Sequence, residues 1–94
     1  MNVEWSDDAL ADLDRFSDFL RHSFPALAER VAHEIIAKAE ILAQYPRAGR
    51  PIAGREEYRQ IVLQVLKARY IFQYRYDGER FVILRVYHGR EARE

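Results

Sequence analysis

The sequence predicts an α+β domain of element order β-α-α-β-β-β, with a two-helix hairpin packed on one face of a mainly antiparallel sheet. Three observations indicate this class. Apolar residues recur at helical spacing before residue 45, and they alternate with period two after residue 58. Asp77-Gly78 then joins two runs rich in aromatic and β-branched residues, a strong hairpin signal because both turn positions need positive φ. The 94 residues suffice for one core, so a single domain over residues 1–94 is expected.

The first half of the chain predicts a short strand followed by two helices. Residues 2–5 form the strand, and Ser6 is a candidate N-cap because two aspartates follow it in the first turn. The first helix is predicted over residues 6–22 from an apolar stripe of Ala9, Leu13, Phe16 and Leu20. Pro25 suits the first turn of a second helix, which is predicted over residues 25–45. Both helices need a sheet to cover, because neither is long enough to be stable alone.

The second half predicts an irregular loop followed by three strands. Residues 46–55 contain two prolines, two glycines and three arginines, a composition typical of a loop. Strands are expected from about residue 58 to residue 66, over residues 69–76 and over residues 80–88. A short turn at Lys67-Ala68 separates the first two of these strands.

Apolar side chains are predicted on both faces of this sheet. In the last strand, alternation places Val82, Leu84 and Val86 on one face of the sheet. It places Phe81, Ile83 and Tyr87 on the other face. Two helices cover only one sheet face. Part of the second face is therefore expected to contact another protein.

The composition and motifs of the chain indicate its cellular location and argue against disulfides, metal sites and a phosphate-binding loop. The chain has no cysteine, which excludes disulfides and thiolate metal ligands and fits a reducing cytoplasm. It shows neither a signal-peptide pattern nor an apolar run approaching the roughly 18 residues of a membrane span. His22 and His33 have no partner at metal-ligand spacing, and no glycine-rich phosphate loop is present. A cytoplasmic protein without metal, cofactor or membrane contact is expected.

The formal charge is zero in total but unevenly distributed. Residues 1–45 hold nine acids and four bases, a net charge of −5, and residues 46–94 hold eleven bases and six acids, a net charge of +5. The basic half is almost wholly arginine, which favours planar, bidentate and stacked contacts. The neutral total argues against a protein whose main task is binding a long nucleic acid backbone.

Several segments, taken in order, resemble the RelE/ParE superfamily of type II toxins. They are VEWSDDALADLDRF (residues 3–16), YPRAGRP (residues 45–51), the strand beginning YRQ at residue 58, the strand with Tyr70, Tyr74 and Arg75, and ILRVYHGRE (residues 83–91). The resemblance covers nearly the whole chain. The P-R-x-G-R-P loop and the V-x-H-G-R ending are most similar to the ParE branch. The resemblance therefore implies a RelE/ParE-like fold.

The resemblance also implies a partner and a target. The partner would be a cognate, ParD-like antitoxin that neutralises the toxin in a hetero-oligomeric complex, with operator DNA bound only through the antitoxin. Members of the ParE branch poison DNA gyrase and have no known hydrolytic site, whereas members of the RelE branch are ribosome-dependent mRNA endonucleases. The sequence pI of about 6.8 and the single lysine of the basic half favour the ParE branch. The alternatives are a RelE-like ribonuclease and an inactive member that keeps only antitoxin binding.

The candidate site residues lie on the last three strands and just beyond them. The residues expected to bind the target or the antitoxin are Arg59, Arg75, Phe81, Ile83, Arg85, Tyr87, His88 and Arg90. In the RelE-like alternative, the nuclease residues are Arg59, Arg75, Arg85, Tyr87 and His88. Such cleavage needs a base, an acid and cations that hold the phosphate. In the ParE-like case no catalytic residue is assigned.

Each candidate also has a structural alternative. Antiparallel pairing is expected to bring Arg59 and Arg75 together, either to bind phosphate or to form salt bridges with nearby acids. Arg85 and Tyr87 share one strand face, and His88 faces the opposite way. His88 would suit acid–base chemistry near neutral pH, or it would bond to backbone or antitoxin. The loop arginines are expected to be mainly solvated, with target contact as the alternative: Arg47, Arg50 and Arg55.

Overall fold

Two helices and five strands make up the fold, in a computed structural model that describes residues 1–91. The elements are β1 (Val3–Trp5), α1 (Asp7–Arg21), α2 (Pro25–Ala43), β2 (Arg50–Ile52), β3 (Arg55–Val65), β4 (Ala68–Tyr76) and β5 (Phe81–His88). The predicted order is confirmed, with β2 as an additional strand inside the segment predicted to be a loop. That segment is rich in Pro and Gly, which hides a three-residue edge strand from pattern analysis.

The five strands form one mixed sheet in the order β1-β5-β4-β3-β2. Strand β1 runs parallel to β5, and the other neighbours are antiparallel, so the predicted mainly antiparallel sheet is confirmed. The β1 pairing ends at Trp5 opposite Ile83, which leaves the last part of β5 at the edge of the sheet. Helix α1 begins beside this edge.

Ser6 joins the start of α1 to β5. Its hydroxyl accepts a hydrogen bond from Ala9 N at 3.0 Å, which confirms the predicted N-cap. The same hydroxyl donates to the carbonyl oxygen of Leu84 at 2.8 Å, and Ser6 N donates to Ile83 O at 2.9 Å. The helix start is therefore fixed against β5 before any side-chain packing is considered.

A β-bulge in β5 changes which side chains reach the core. The pairing shifts between Gln73↔Arg85 and Tyr74↔Ile83, so Leu84 has no partner opposite it and the alternation of β5 changes phase. Val86 therefore enters the same core as Phe81 and Ile83, all fully buried. The predicted grouping of Val86 with Val82 is wrong. Phe81 and Ile83 are core residues, so the prediction that they belong to an exposed binding surface is also wrong.

The turn between β3 and β4 lies one residue earlier than predicted. Val65 pairs with Ala68, so Leu66 and Lys67 are the two central turn residues. Leu66 adopts a φ of 55°, which is unfavourable for an ordinary side chain, and it packs against the hydrophobic core. Core packing thus offsets the absence of Gly or Asn at this turn. Within residues 1–91, neither helix is long and apolar enough to span a membrane.

Candidate functional site

Asp12 is a buried carboxylate at the junction of α1 and β5. Its side chain, 1% exposed, accepts hydrogen bonds from Arg85 Nε at 2.9 Å, Arg85 Nη2 at 3.1 Å and Val86 N at 2.8 Å. Arg15 Nη1 adds a fourth bond at 2.6 Å. Burial alone would raise the pKa of Asp12, but the hydrogen bonds from Arg85, Arg15 and Val86 outweigh burial and lower it. The ion pair between Arg85 and Asp12 therefore joins α1 to the edge of the sheet at β5.

Arg59 is buried on β3, near the other edge of the sheet. Its side chain is 8% exposed, and Nη1 donates to Gly49 O at 2.7 Å and to Arg47 O at 3.3 Å. Nη2 donates to Glu56 Oε1 at 3.0 Å. These bonds tie the segment that follows α2 to the body of the sheet. Arg59 is thus largely buried, with its guanidinium group engaged by the loop that follows α2.

Tyr74 fixes the same loop from β4. Its hydroxyl donates to Pro46 O at 2.7 Å and accepts from Gly49 N at 2.9 Å. A Cβ on Gly49 would lie 2.7 Å from that hydroxyl and 2.9 Å from Gln60 O, so the close approach requires glycine. The glycine of the P-R-x-G-R-P loop is therefore a packing requirement at this position.

Arg75 lies on the other face of the sheet from Arg59. Tyr58 pairs with Arg75 and Arg59 pairs with Tyr74, so the two arginines are diagonal neighbours with opposite facing. The prediction that strand pairing brings Arg59 and Arg75 together is wrong. Arg75 donates from Nε to Glu57 Oε2 at 3.0 Å, and its Nη1 lies 3.3 Å from Asp77 Oδ2. These are the salt bridges that the structural alternative predicted.

His88 and Tyr87 face opposite ways, as predicted. The His88 ring lies edge-on to the Tyr70 ring, with centroids 5.1 Å apart, and its Nδ1 accepts from Arg90 N at 3.0 Å. His88 N donates to Glu91 Oε1 at 2.9 Å. Tyr87 instead packs under the guanidinium of Arg85, which lies 4.7 Å from the ring centroid.

The five candidate nuclease residues therefore do not converge on one site. Arg59 is enclosed by the loop before β2, Arg75 binds two acids on the outer face, and Arg85 binds Asp12. His88 faces the helices, on the side opposite Tyr87. Among residues 1–91, no group of three or more His, Cys, Asp or Glu side chains is placed to hold a metal ion.

A groove of about 970 Å³ lies between the helical hairpin and the β3–β4 turn. We call it the apolar groove, and its main apolar lining consists of Phe16, Phe19, Leu20, Leu27, Val31 and Tyr70. Phe19 is 83% exposed, although it is a large aromatic residue. Arg90 and His88 line the groove at the end of β5, so these two predicted site residues do reach a common surface.

The charged groups around the apolar groove are mainly cations. Arg15, Arg30, Lys67 and Arg90 line it against a single acid, Glu91, which gives a net charge of 4 − 1 = +3 without His88. Glu91 is itself held by Arg15, whose Nε and Nη2 each lie 3.0 Å from its carboxylate oxygens. The groove therefore suits an apolar segment flanked by acids.

Three residues that organise these surfaces were not among the predicted site residues. Asp12 lies three residues after Ala9 and four before Phe16, on the buried stripe of α1. That spacing was the available signal. Gly49 and Tyr74 belonged to segments that carry the family resemblance, but their 2.9 Å contact joins residues 25 positions apart and depends on tertiary structure.

Comparison with known proteins agrees with this architecture. The family described as "ParE toxin of type II toxin-antitoxin system, parDE" matches residues 3–93. The toxin RelE3 of Caulobacter vibrioides is 30% identical over 92 residues, covering 98% of this chain and 98% of that protein. A solved structure described as the chromosomal ParDE TA system from P. aeruginosa superposes with a TM-score of 0.74 at 26% identity, covering 94% of this chain and 95% of that one.

Proposed function

The chain belongs to the ParE toxin family of type II toxin–antitoxin systems, and we propose that it poisons DNA gyrase and is neutralised by direct binding of a cognate antitoxin. The toxin acts in the cytoplasm, by binding gyrase and stalling it with its DNA cleaved. It needs no metal, cofactor or hydrolytic site of its own. Operator DNA is bound only through the antitoxin.

The separation of the five candidate nuclease residues is the observation that favours gyrase poisoning over RNA cleavage. Phosphodiester cleavage needs a base, an acid and cations within reach of one phosphate. Here Arg59 and Arg85 are each engaged by internal partners, and Arg75 and His88 lie on opposite sides of the sheet. This separation supports a function in binding rather than in RNA cleavage.

The apolar groove is the proposed antitoxin site. Its exposed Phe19 and the neighbouring Leu27 offer apolar surface to an amphipathic helix. Its net charge of +3 attracts an acidic segment and speeds association. Docking there would shield apolar side chains that are otherwise exposed to water. The complex is proposed to be hetero-oligomeric, as in a toxin–antitoxin pair.

The similarity to the toxin RelE3 keeps ribosome-dependent RNA cleavage as the second candidate function. The two candidates require different partners. A gyrase poison requires only gyrase, ATP and DNA, whereas a RelE-like nuclease requires a translating ribosome. Because each reaction lacks the target of the other, assaying one toxin preparation in both reactions distinguishes the two functions.

Two assays run in parallel test the proposal. In the first, purified toxin is added to gyrase and relaxed plasmid, and supercoiling is measured; in the second, it is added to a translating ribosome and mRNA ends are mapped. We expect loss of supercoiling without mRNA cleavage. Codon-positioned cleavage with unaffected supercoiling would favour the RelE-like function. No effect in either assay, with antitoxin binding retained, would indicate an inactive member.

A further inference from the structure

The segment between α2 and β3, together with the first residue of β3, presents arginines that have no assigned role in antitoxin binding or gyrase poisoning. Arg47 and Arg55 are exposed, and together with Arg59 and Tyr76 they line a cleft of about 380 Å³. We call this the arginine cleft. It lies at the end of the sheet opposite the apolar groove, with no lining residue in common. The two sites can therefore be occupied and mutated independently.

The backbone behind the arginine cleft is rigidly held. Tyr74 and Arg59 bond to three successive parts of the loop, at Pro46 O, Arg47 O and Gly49, with distances of 2.7–3.3 Å. Arg47 therefore projects from a fixed loop segment, and Arg55 projects from the first residue of β3, which pairs with Ile52 of β2. Because a fixed frame is ordered before binding, little backbone entropy is lost when a ligand arrives.

Two of the cleft arginines carry uncompensated charge. Among residues 1–91, neither Arg47 nor Arg55 lies within ion-pair distance of a carboxylate. Each instead lies over a tyrosine ring, Arg47 at 5.2 Å from the Tyr76 centroid and Arg55 at 4.5 Å from that of Tyr58. Guanidinium groups stacked in this way keep their N–H edges available for an oxyanion.

The acids that line the cleft are already engaged. Glu56 binds Arg59, and both Glu57 and Asp77 bind Arg75, which lies outside the lining. The lining itself has three arginines and three acids, a net charge of zero, but each acid is paired with Arg59 or Arg75 and none is paired with Arg47 or Arg55. Arg59 Nε is in addition a buried donor without a partner in the described chain.

We propose that the arginine cleft binds the phosphate groups of a DNA strand. Arginine guanidinium groups hold phosphate oxygens through paired, charge-assisted hydrogen bonds, and here the tyrosine rings beside them help to fix their position. This choice of ligand rests on the proposed function, because a protein that poisons gyrase is close to the cleaved DNA that gyrase holds. DNA is therefore proposed as the source of the phosphate groups. The toxin would then contact the DNA in the gyrase complex as well as the enzyme.

The test measures binding by the toxin alone, so that its outcome does not depend on gyrase. A fluorescein-labelled single-stranded oligonucleotide is titrated with toxin, and anisotropy gives the Kd over a series of salt concentrations. The cleft variant is Arg47→Gln/Arg55→Gln. The matched control is Lys38→Gln/Arg69→Gln, which removes the same charge from positions outside both the arginine cleft and the apolar groove. The two single cleft variants replace the double variant if it fails to fold.

We expect the cleft variant to bind about tenfold more weakly than the parent chain, and the control about twofold. The slope of log Kd against log salt should fall by about 1.4 in the cleft variant, since each phosphate contact on a single strand contributes about 0.7. Equal weakening in both variants would overturn the site, as would the absence of DNA binding by the parent chain. Inorganic phosphate or a polyglutamate peptide that binds where the oligonucleotide does not would overturn DNA as the ligand.

Discussion

Arg85 grips Asp12 through two hydrogen bonds, from Nε at 2.9 Å and from Nη2 at 3.1 Å, across the gap between β5 and α1. Asp12 also accepts the backbone N–H of Val86, a donor at the open edge of the sheet. One carboxylate thus caps a strand edge and anchors a helix. Arg85, which was predicted as a site residue, therefore has a structural role. Its partner Asp12 is the residue to test first.

Replacing Asp12 should destabilise the fold. Asp12→Asn leaves Arg85 and Arg15 without their shared charge, and we expect a loss of about 2–3 kcal/mol in the free energy of unfolding. Asp14→Asn is the matched control, because Asp14 is an exposed acid on the same helix. Its effect should stay within about 0.5 kcal/mol. Urea denaturation followed by circular dichroism measures both, and equal effects would contradict the anchoring role.

The same carboxylate should make stability depend on acid pH. The pKa of Asp12 is lower in the folded chain than its ordinary value of 3.8, so the unfolded chain binds its proton first as the pH falls. The stabilisation is therefore complete above that value and is lost progressively below it. We expect a shallower loss of stability below pH 3.8 in Asp12→Asn than in the parent chain. Parallel curves would show that other acids account for the loss.

Removing the Tyr74 hydroxyl should loosen the loop before β2. Tyr74→Phe leaves Gly49 N and Pro46 O without their partner, which should cost about 1–3 kcal/mol of stability. Tyr45→Phe is the control, since Tyr45 is 65% exposed and its variant should change stability by less than about 0.5 kcal/mol. Hydrogen exchange at Gly49 N reports on the loop directly. Unchanged protection of that amide in Tyr74→Phe would count against the contact.

Antitoxin affinity should depend on Phe19. Phe19→Ala removes an aromatic side chain from the apolar groove and should weaken binding by about 2 kcal/mol, or roughly 30-fold. Ile41→Ala is a fitting control, because Ile41 is 53% exposed on α2 and does not line the groove. Calorimetric titration with the purified antitoxin separates the two variants. If Ile41→Ala weakens binding more than Phe19→Ala does, the antitoxin occupies another surface.

The element order was predictable because each element has its own local signal. Helical spacing, the Ser6 N-cap, Pro25 and the Asp77-Gly78 turn all act within a few residues. Strand β2 was missed because Pro51 and the glycines around it also signal a loop. The parallel pairing of β1 with β5 joins the two ends of the chain, and no local pattern specifies it.

The site was less predictable because facing depends on tertiary detail. A one-residue bulge at Leu84 brings Val86 into the core with Phe81 and Ile83, whereas strict alternation separates them. Arg59 and Arg85 look like surface cations in the sequence, yet their partners are Gly49 and Asp12, 10 and 73 residues away. Only the fold shows that these arginines are occupied.

The most direct test of gyrase poisoning is the amount of linear plasmid formed by gyrase in the presence of the toxin. Reactions with gyrase, ATP and supercoiled plasmid are stopped with detergent and protease, so that DNA held in the cleaved state is released as linear molecules. The account predicts that linear DNA rises with toxin concentration, and that prior addition of the antitoxin abolishes the rise. Plasmid that stays supercoiled at every toxin concentration, with mRNA cut in a parallel ribosome reaction, would contradict it.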